Sequence, residues 1–502
     1  MTFNSAGSSG TDPEQHATGI TVGGSETTRI FSLDVLRGVA LLGILIISIW
    51  EFGGFTVNKQ IFFRTGTHGG NYNLLSFVTI LVEGKMRALF ALLFGAGIIL
   101  FISKKDHPSS VSYPDLYIRR MLWLMLFGIV NAVILLWPGD ILFQYAVLGI
   151  LLFPFWRMSP KGLLIAAMIA TLIYCGKQYW NYADDRKMYR KYVAVTAIEK
   201  TFVSADTVAK QKVDSLLKIQ HNDPFSNKLA DDPLLKKYKI DTLTKQQAKD
   251  KQAWDGLVKG SKYDSTADKT ADKKMHSTSY GQIWNYLLPK TQNRESYWLY
   301  RIGLWDIGSM MLFGMALLGF GFFNRFSPKK YLFIAFSCIA VGLLLAWFRN
   351  HYYDIRLADY AKYIDKNSIP FNQFFPIERL LLATGYASLV MVLLRINMLD
   401  WLWRTLAIVG RMAFTNYFLQ TIICTIFFYG YGMGYFGRLT QAQLYFTVIE
   451  VWLLQILFSI LWSRYFTMGP VEWLWRSLIN MKKLPLKKKM TTTMSEPAPV
   501  IH

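Results

Sequence analysis

Apolar residues in this chain come in long runs separated by short polar stretches, and ten of those runs predict membrane-crossing helices. A helix of about 20 apolar residues spans the hydrocarbon core of a bilayer. The runs lie near 33–50, 80–102, 121–137, 140–156, 161–180, 302–323, 331–348, 377–394, 404–428 and 443–466. Trp137-Pro138-Gly139 punctuates the chain between the third and the fourth. The pattern predicts an all-α polytopic integral membrane protein of about ten transmembrane helices.

One stretch departs from it. Residues 181–301 are rich in Lys, Asp, Tyr and Gln, with helical periodicity in VAKQKVDSLLKIQ (208–220). The expected organisation is therefore a disordered tail (1–28), a five-span half (29–180), a hydrophilic insert (181–301), a second five-span half (302–480) and a basic tail (481–502). The 1–28 segment lacks the basic n-region and small-residue cleavage site of a secretory signal, so the first span reads as an uncleaved anchor.

Basic residues orient the spans. Lys104, Lys105, Arg119 and Arg120, then Arg157 and Lys161, then Arg325, Lys329 and Lys330, then Arg395 and Arg404 share one side with the lysines of MKKLPLKKK (481–489). The positive-inside rule puts that side, and both termini, in the cytoplasm. The insert then falls on the extracytoplasmic face, and long loops translocate largely regardless of charge.

Composition agrees with the pattern: 52% of the 502 residues are hydrophobic and 16% aromatic. A net charge of +22 on a soluble chain would point to nucleic acid. Here it sits at span ends and in the insert, which implies topology and contact with anionic lipid, and no nucleic-acid partner is expected. Cys175, Cys338 and Cys424 all fall in apolar runs, with neither a disulfide framework nor metal-ligand spacing.

Polar residues inside the spans are the candidates for chemistry. Arg37 sits near the start of the first span, where it either snorkels to the headgroups or marks a functional site. Glu83 and Arg87 are four apart, which on one helix would let them pair, with Lys85 directed elsewhere. Asp140 follows a Pro-Gly turn and reads as a helix cap or a proton acceptor. His68, in FFRTGTHGGNYN, and His351, near Arg349 and Asp354, are residues suited to proton transfer that loops also carry for structural reasons. Asn416 and Gln420 share a face, with Arg411 and Thr415 close by, and suit either interhelical hydrogen bonds or a pocket lining. Glu472 and Arg476 are spaced as a surface pair beside the interface anchors Trp473 and Trp475. No P-loop, GxGxxG, HExxH or GxSxG is present.

Four runs together resemble the YeiB-like membrane proteins of bacteria, whose C-terminal half is a domain of unknown function. They are SLDVLRGVALLGIL (32–45), EGKMRALFALLFGAG (83–97), GDILFQYAVLG (139–149) and GRMAFTNYFLQ with GPVEWLWR. The likeness covers about residues 29–480 except the insert, and it implies a bacterial inner membrane location. YeiB-like proteins in turn are remotely similar to transmembrane acyltransferases, heparan-alpha-glucosaminide N-acetyltransferase among them. The shared element is D-x-x-R-G, here Asp34, Arg37 and Gly38. Where the acetyltransferase has an Asn this chain has Ser48, its loop His corresponds to His68, and a His frequent in the third span of YeiB-like chains is replaced by Asn131.

That resemblance implies movement of an acyl group from cytoplasmic acyl-CoA, with no permanently bound cofactor, to an extracytoplasmic glycan or lipid-linked acceptor. It would use His68 or Asp140 as base and Arg37, Arg119 and Arg120 on the coenzyme phosphates. Asp34, Glu83, Arg87, Arg411, Asn416 and Gln420 would line the pocket. A transporter or flippase, or a membrane scaffold docking through its insert, remain the alternatives.

Overall fold

A computed structural model of the chain describes residues 30–54, 69–103, 113–222, 243–261, 265–396 and 399–488. Among these the architecture is all-helical. The elements are α1 (Phe31–Phe52), α2 (Gly70–Leu81), α3 (Lys85–Ile102), α4 (Tyr113–Ile129, continued by a π-helical turn at Val130–Ile134), α5 (Leu142–Leu152) and α6 (Pro160–Asn222). They continue with α7 (Lys245–Ser261), α8 (Ser265–Met275), α9 (Tyr280–Asn293), a π-helical stretch (Arg294–Gly303), α10 (Leu304–Gly319), α11 (Pro328–Ala358) and α12 (Tyr360–Lys366). The chain closes with α13 (Phe375–Arg395), α14 (Asp400–Arg411), α15 (Ala413–Phe428), α16 (Gln441–Tyr465) and α17 (Pro470–Asn480).

Eight helices among the described residues are long and apolar enough to cross a membrane. The other two predicted spans differ from a straight crossing. Asp400–Arg411 and Ala413–Phe428 are an apolar helix pair that meets at an 80° bend, and Leu142–Arg157 is a shorter apolar helix. The bend has a local cause: the Met412 amide closes α14 onto the Ile408 and Val409 carbonyls, and Glu472 then caps the new helix start. The α4–α5 break is set by Leu136, held at φ 58°, followed by Pro138, which has no N–H to continue a helix.

The insert is not separated from the bundle by a hinge. Helix α6 runs 63 residues, crossing the membrane and continuing unbroken past residue 181. On the return, the helical segment Tyr280–Gly319 is 40 residues long, so it begins well before the 302–323 apolar run. Away from the membrane, Trp254 of α7 is buried against Tyr189 and Tyr192 of α6 and stacks on Tyr360 of α12 at 5.8 Å. Tyr182, Tyr363 and Ile364 complete this small second core.

In the bundle, α1 is the central helix, and α3 and α10 cross at a pair of glycines. A Cβ on Gly95 would lie 2.0 Å from the Met311 carbonyl oxygen, and one on Gly314 would lie 1.9 Å from that of Leu92. Such backbone contact is the packing that small residues permit in membranes. It brings the start of α10, with Asp306, against α3.

Candidate substrate chamber

The half of the bundle nearer the insert encloses a cavity of about 510 Å³. Its apolar lining includes Ile44 and Ile47 of α1, Leu75 of α2, and Ile307 and Met310 of α10. Its polar lining is Arg87, Arg294, Arg349 and Arg379, with Glu51, Glu83, Asp306 and Gln144. Charges at this depth persist only where they are paired or face a protein-lined cavity.

Two of the four arginines are held by carboxylates. Arg349 makes a two-pronged contact with Glu378, at 2.7 and 3.3 Å, and reaches Glu83 at 3.4 Å. Arg379 is bonded to Asp306. Both guanidiniums lie over the Phe375 ring, at 4.4 and 4.2 Å, which fixes their planes. Behind them Lys85 is fully buried, 2.7 Å from Glu378 and 2.9 Å from the Thr79 carbonyl. Glu378 therefore serves two cations.

The Glu83–Arg87 pair expected from spacing does not form. Gly84, at φ 76°, ends the helical path between α2 and α3, so Glu83 and Arg87 are not on one helix. A Cβ at Gly84 would also meet the Arg379 side chain at 2.4 Å. Glu83 turns to Arg349 instead, and Lys85 faces the buried network.

Arg87 and Arg294 have no ion-pair partner among the described residues, although each lies within electrostatic reach of the other, and Glu51 and Glu295 act on Arg294 at longer range. The Nε of Arg294 is buried and unbonded, and neither end of the Gln144 amide makes a well-aligned hydrogen bond. A second cavity, of about 660 Å³, lies between insert helices α8 and α9 and the bundle. Glu51, Arg294 and Trp298 line both spaces.

Asp140 sits beside the chamber rather than on its wall. It is fully buried and accepts from Asn131 Nδ2 at 2.8 Å, from the Phe143 amide at 3.0 Å and from the Tyr417 hydroxyl at 3.2 Å. That is a helix cap tied across the bundle. His68 lies outside the described residues. His351 is exposed and stacks on Trp347, while its sequence neighbours Arg349 and Asp354 are engaged elsewhere, Asp354 by the Tyr72 hydroxyl.

The three coenzyme-phosphate candidates gather at the opposite end of the bundle. Arg37 is 3.3 Å from Asp34 on its own helix, Arg119 donates to the Ile479 carbonyl at 3.1 Å, and Arg120 lies between the Phe101 and Trp475 rings. The buried Arg120 Nε has no partner, which leaves it able to meet an anion. None of the three lines either cavity.

Asn416 donates to Ser459 at 2.9 Å and accepts through its backbone carbonyl from Gln455 at 2.6 Å, joining α15 to α16. Asn416 and Gln420 are buried and off both cavity walls, and Arg411 is exposed at the end of α14. Glu472 is buried on the start of α15, not paired on the surface with Arg476.

Comparison with known proteins places this architecture. Residues 320–482 match the family described as a protein of unknown function (DUF418). YxaH of Bacillus subtilis (strain 168), an uncharacterized protein, is 28% identical over 471 residues, covering 92% of this chain and 96% of YxaH. The uncharacterized YeiB of Escherichia coli (strain K12) is 27% identical over 484 residues, covering 90% of this chain and 96% of YeiB. Over most of its length the chain is similar to the YeiB-like membrane proteins. No solved structure matches it. In this YeiB-like protein the chamber walls come from both halves: Glu51, Arg87 and Gln144 precede the insert, while Asp306, Arg349 and Arg379 follow it.

Residues that the sequence reading passed over carry most of the chamber. Asp306, Glu378 and Arg379 lie inside predicted spans, and as charges in apolar runs they had a usable signal. Glu51 closes the first span. Arg294 fell within the hydrophilic 181–301 stretch and had none.

Proposed function

We propose that this YeiB-like protein is a membrane-embedded transferase that works on a substrate held in the insert-side chamber. In its finer form the proposal is acyl transfer from acyl-CoA to an extracytoplasmic glycan or lipid-linked acceptor in the bacterial inner membrane. The observation that carries it is the chamber itself, a half-apolar, half-charged space at membrane depth with unsatisfied polar groups on its wall. The arginines at the opposite end support it as a separate anion-holding site, since transfer across a bilayer requires donor and acceptor to be recognised on different sides.

In such a step the thioester C–S bond breaks as the acceptor oxygen or nitrogen bonds to the acyl carbon. The acceptor proton passes to a base and then to the departing thiolate. Glu51 is the carboxylate this reading favours as base. It lines both cavities, and no donor engages it among the described residues, whereas Asp140 already accepts three hydrogen bonds.

Transport ranks lower on a specific observation. Transporters present the exposed N–H groups of broken helices to their substrate. Here the helix starts at α5 and α15 have such groups covered by carboxylates of the chain, Asp140 on α5 and Glu472 on α15.

The test is release of free coenzyme A from radiolabelled acetyl-CoA by protein in nanodiscs supplied with a bacterial lipid extract. Turnover in the wild type that is lost in Ile47→Trp, which fills the chamber, and in Glu51→Gln supports the reading. Turnover unaffected by both variants contradicts it.

A further inference from the structure

We propose that Arg87 and Arg294 form a binding site for the phosphate group of a phosphate monoester carrying an apolar tail. The inference rests on the reading of the chamber as the substrate compartment and names the chemistry of what enters it. Four observations converge. Among the described residues Arg87 and Arg294 are without ion-pair partners, while the chamber's other two arginines are held by Glu378 and Asp306. Both face the same cavity, close enough for their charges to act on each other. Gln144, 1% exposed, lines that cavity with no well-aligned hydrogen bond to its amide, Glu295 being the acceptor within its reach, and the buried Arg294 Nε is unbonded. The same lining includes the apolar Ile44, Ile47 and Ile307.

Two guanidiniums facing one cavity and in no ion pair repel each other, and an anion between them removes that cost. A carboxylate is matched by one guanidinium fork. Two forks with an amide N–H alongside match the three outer oxygens of a phosphate monoester. Glu51 and Glu295, both within electrostatic reach of Arg294, offset part of the pair's charge, which favours retention of a phosphate without fixing it permanently. The aliphatic wall fits an acyl or alkyl tail, so a lipid phosphate uses both surfaces. A water-soluble phosphate ester would use the arginines alone.

The experiment is native mass spectrometry of the full chain released from detergent, with no acyl donor present. The probes are lysophosphatidic acid, glycerol 3-phosphate, inorganic phosphate and lysophosphatidylcholine, whose choline masks the phosphate. The expected result is one lysophosphatidic acid per chain, held about tenfold or more weakly by Arg87→Gln and by Arg294→Gln and restored in part by Arg294→Lys. Retention of glycerol 3-phosphate with the same variant dependence supports the site and identifies a soluble source. A monodisperse elution profile for each variant shows that lost binding is not lost folding.

Equal retention of lysophosphatidylcholine, or binding unchanged in both glutamine variants, overturns the proposal. The readout is separate from turnover. Binding without coenzyme A release defeats acyl transfer and leaves the phosphate site standing. Release without phosphate binding does the reverse.

Discussion

Tyr417 donates its hydroxyl to Asp140 at 3.2 Å, tying together two helices that are each interrupted inside the bundle. The same phenolic oxygen accepts the Ile141 amide at 3.2 Å, so one side chain serves both the carboxylate and the backbone beside it. Tyr417→Phe removes the donor to a buried carboxylate and strands a buried N–H. A loss of roughly 2–4 kcal/mol follows, since each unmet buried partner costs about 1–3 kcal/mol. Thermal unfolding in detergent reads it, and an unchanged midpoint would show that the Asp140 contact carries no stability.

Glu472 makes stability depend on pH. Its carboxylate accepts the Phe414 amide at 2.7 Å, the Thr415 amide at 3.1 Å and the Thr415 hydroxyl. Burial pushes its carboxyl above the ordinary 4.5, with the Thr415 contacts opposing. The folded chain therefore holds this proton more tightly than the unfolded chain. The group's contribution is fully present below the unfolded value and is lost as pH rises through the folded one. Glu472→Gln keeps an acceptor for the α15 amides and removes that titration. Across a series from pH 4.5 upward, wild type should lose melting temperature relative to Glu472→Gln. Parallel curves would assign the carboxyl an unshifted titration.

Lys85, Glu378 and Arg349 form a buried charge triad in which the carboxylate sits between two cations. Removing one partner of a buried pair costs about 3–5 kcal/mol because the other is left uncompensated. Lys85→Met alone should still leave Arg349 on Glu378 and fall at the low end of that range. Glu378→Gln, which strands Lys85 and leaves Arg349 only Glu83 at 3.4 Å, should fall at the high end or fail to accumulate. Equal, small effects of both variants would mean that water, not the partner, solvates these groups.

Gly314→Ala places a methyl 1.9 Å from the Leu92 carbonyl oxygen, where only backbone can move. The α3–α10 crossing should open and the chain lose its monodisperse elution profile, with Gly176→Ala, in open space, as the silent control. Normal behaviour of the Gly314 variant would mean that the two helices do not cross at this contact.

Hydropathy made the membrane helices legible, because apolar length alone specifies them. It could not show that 404–428 is bent by 80°, since Met412 carries no helix-breaking chemistry and the bend is stabilised by Glu472, some sixty residues away in sequence. It misread Glu83 and Arg87 because i, i+4 spacing presumes an unbroken helix, and Gly84 breaks this one. The chamber itself was only half visible. Asp306 and Arg379 announce themselves as charges in apolar runs, but Arg294 stands among other polar residues and gains its meaning only when Glu51 and Gln144 are brought beside it.

A chamber that holds an extracytoplasmic substrate must be entered from the face carrying the insert. Replacing Cys175, Cys338 and Cys424 by Ala and introducing Ile47→Cys leaves one thiol on the chamber wall. A charged, membrane-impermeant thiol reagent applied to oriented vesicles should label it from the insert side, and lysophosphatidic acid should slow the labelling. Labelling from the opposite side alone, or a rate indifferent to that ligand, would contradict the account.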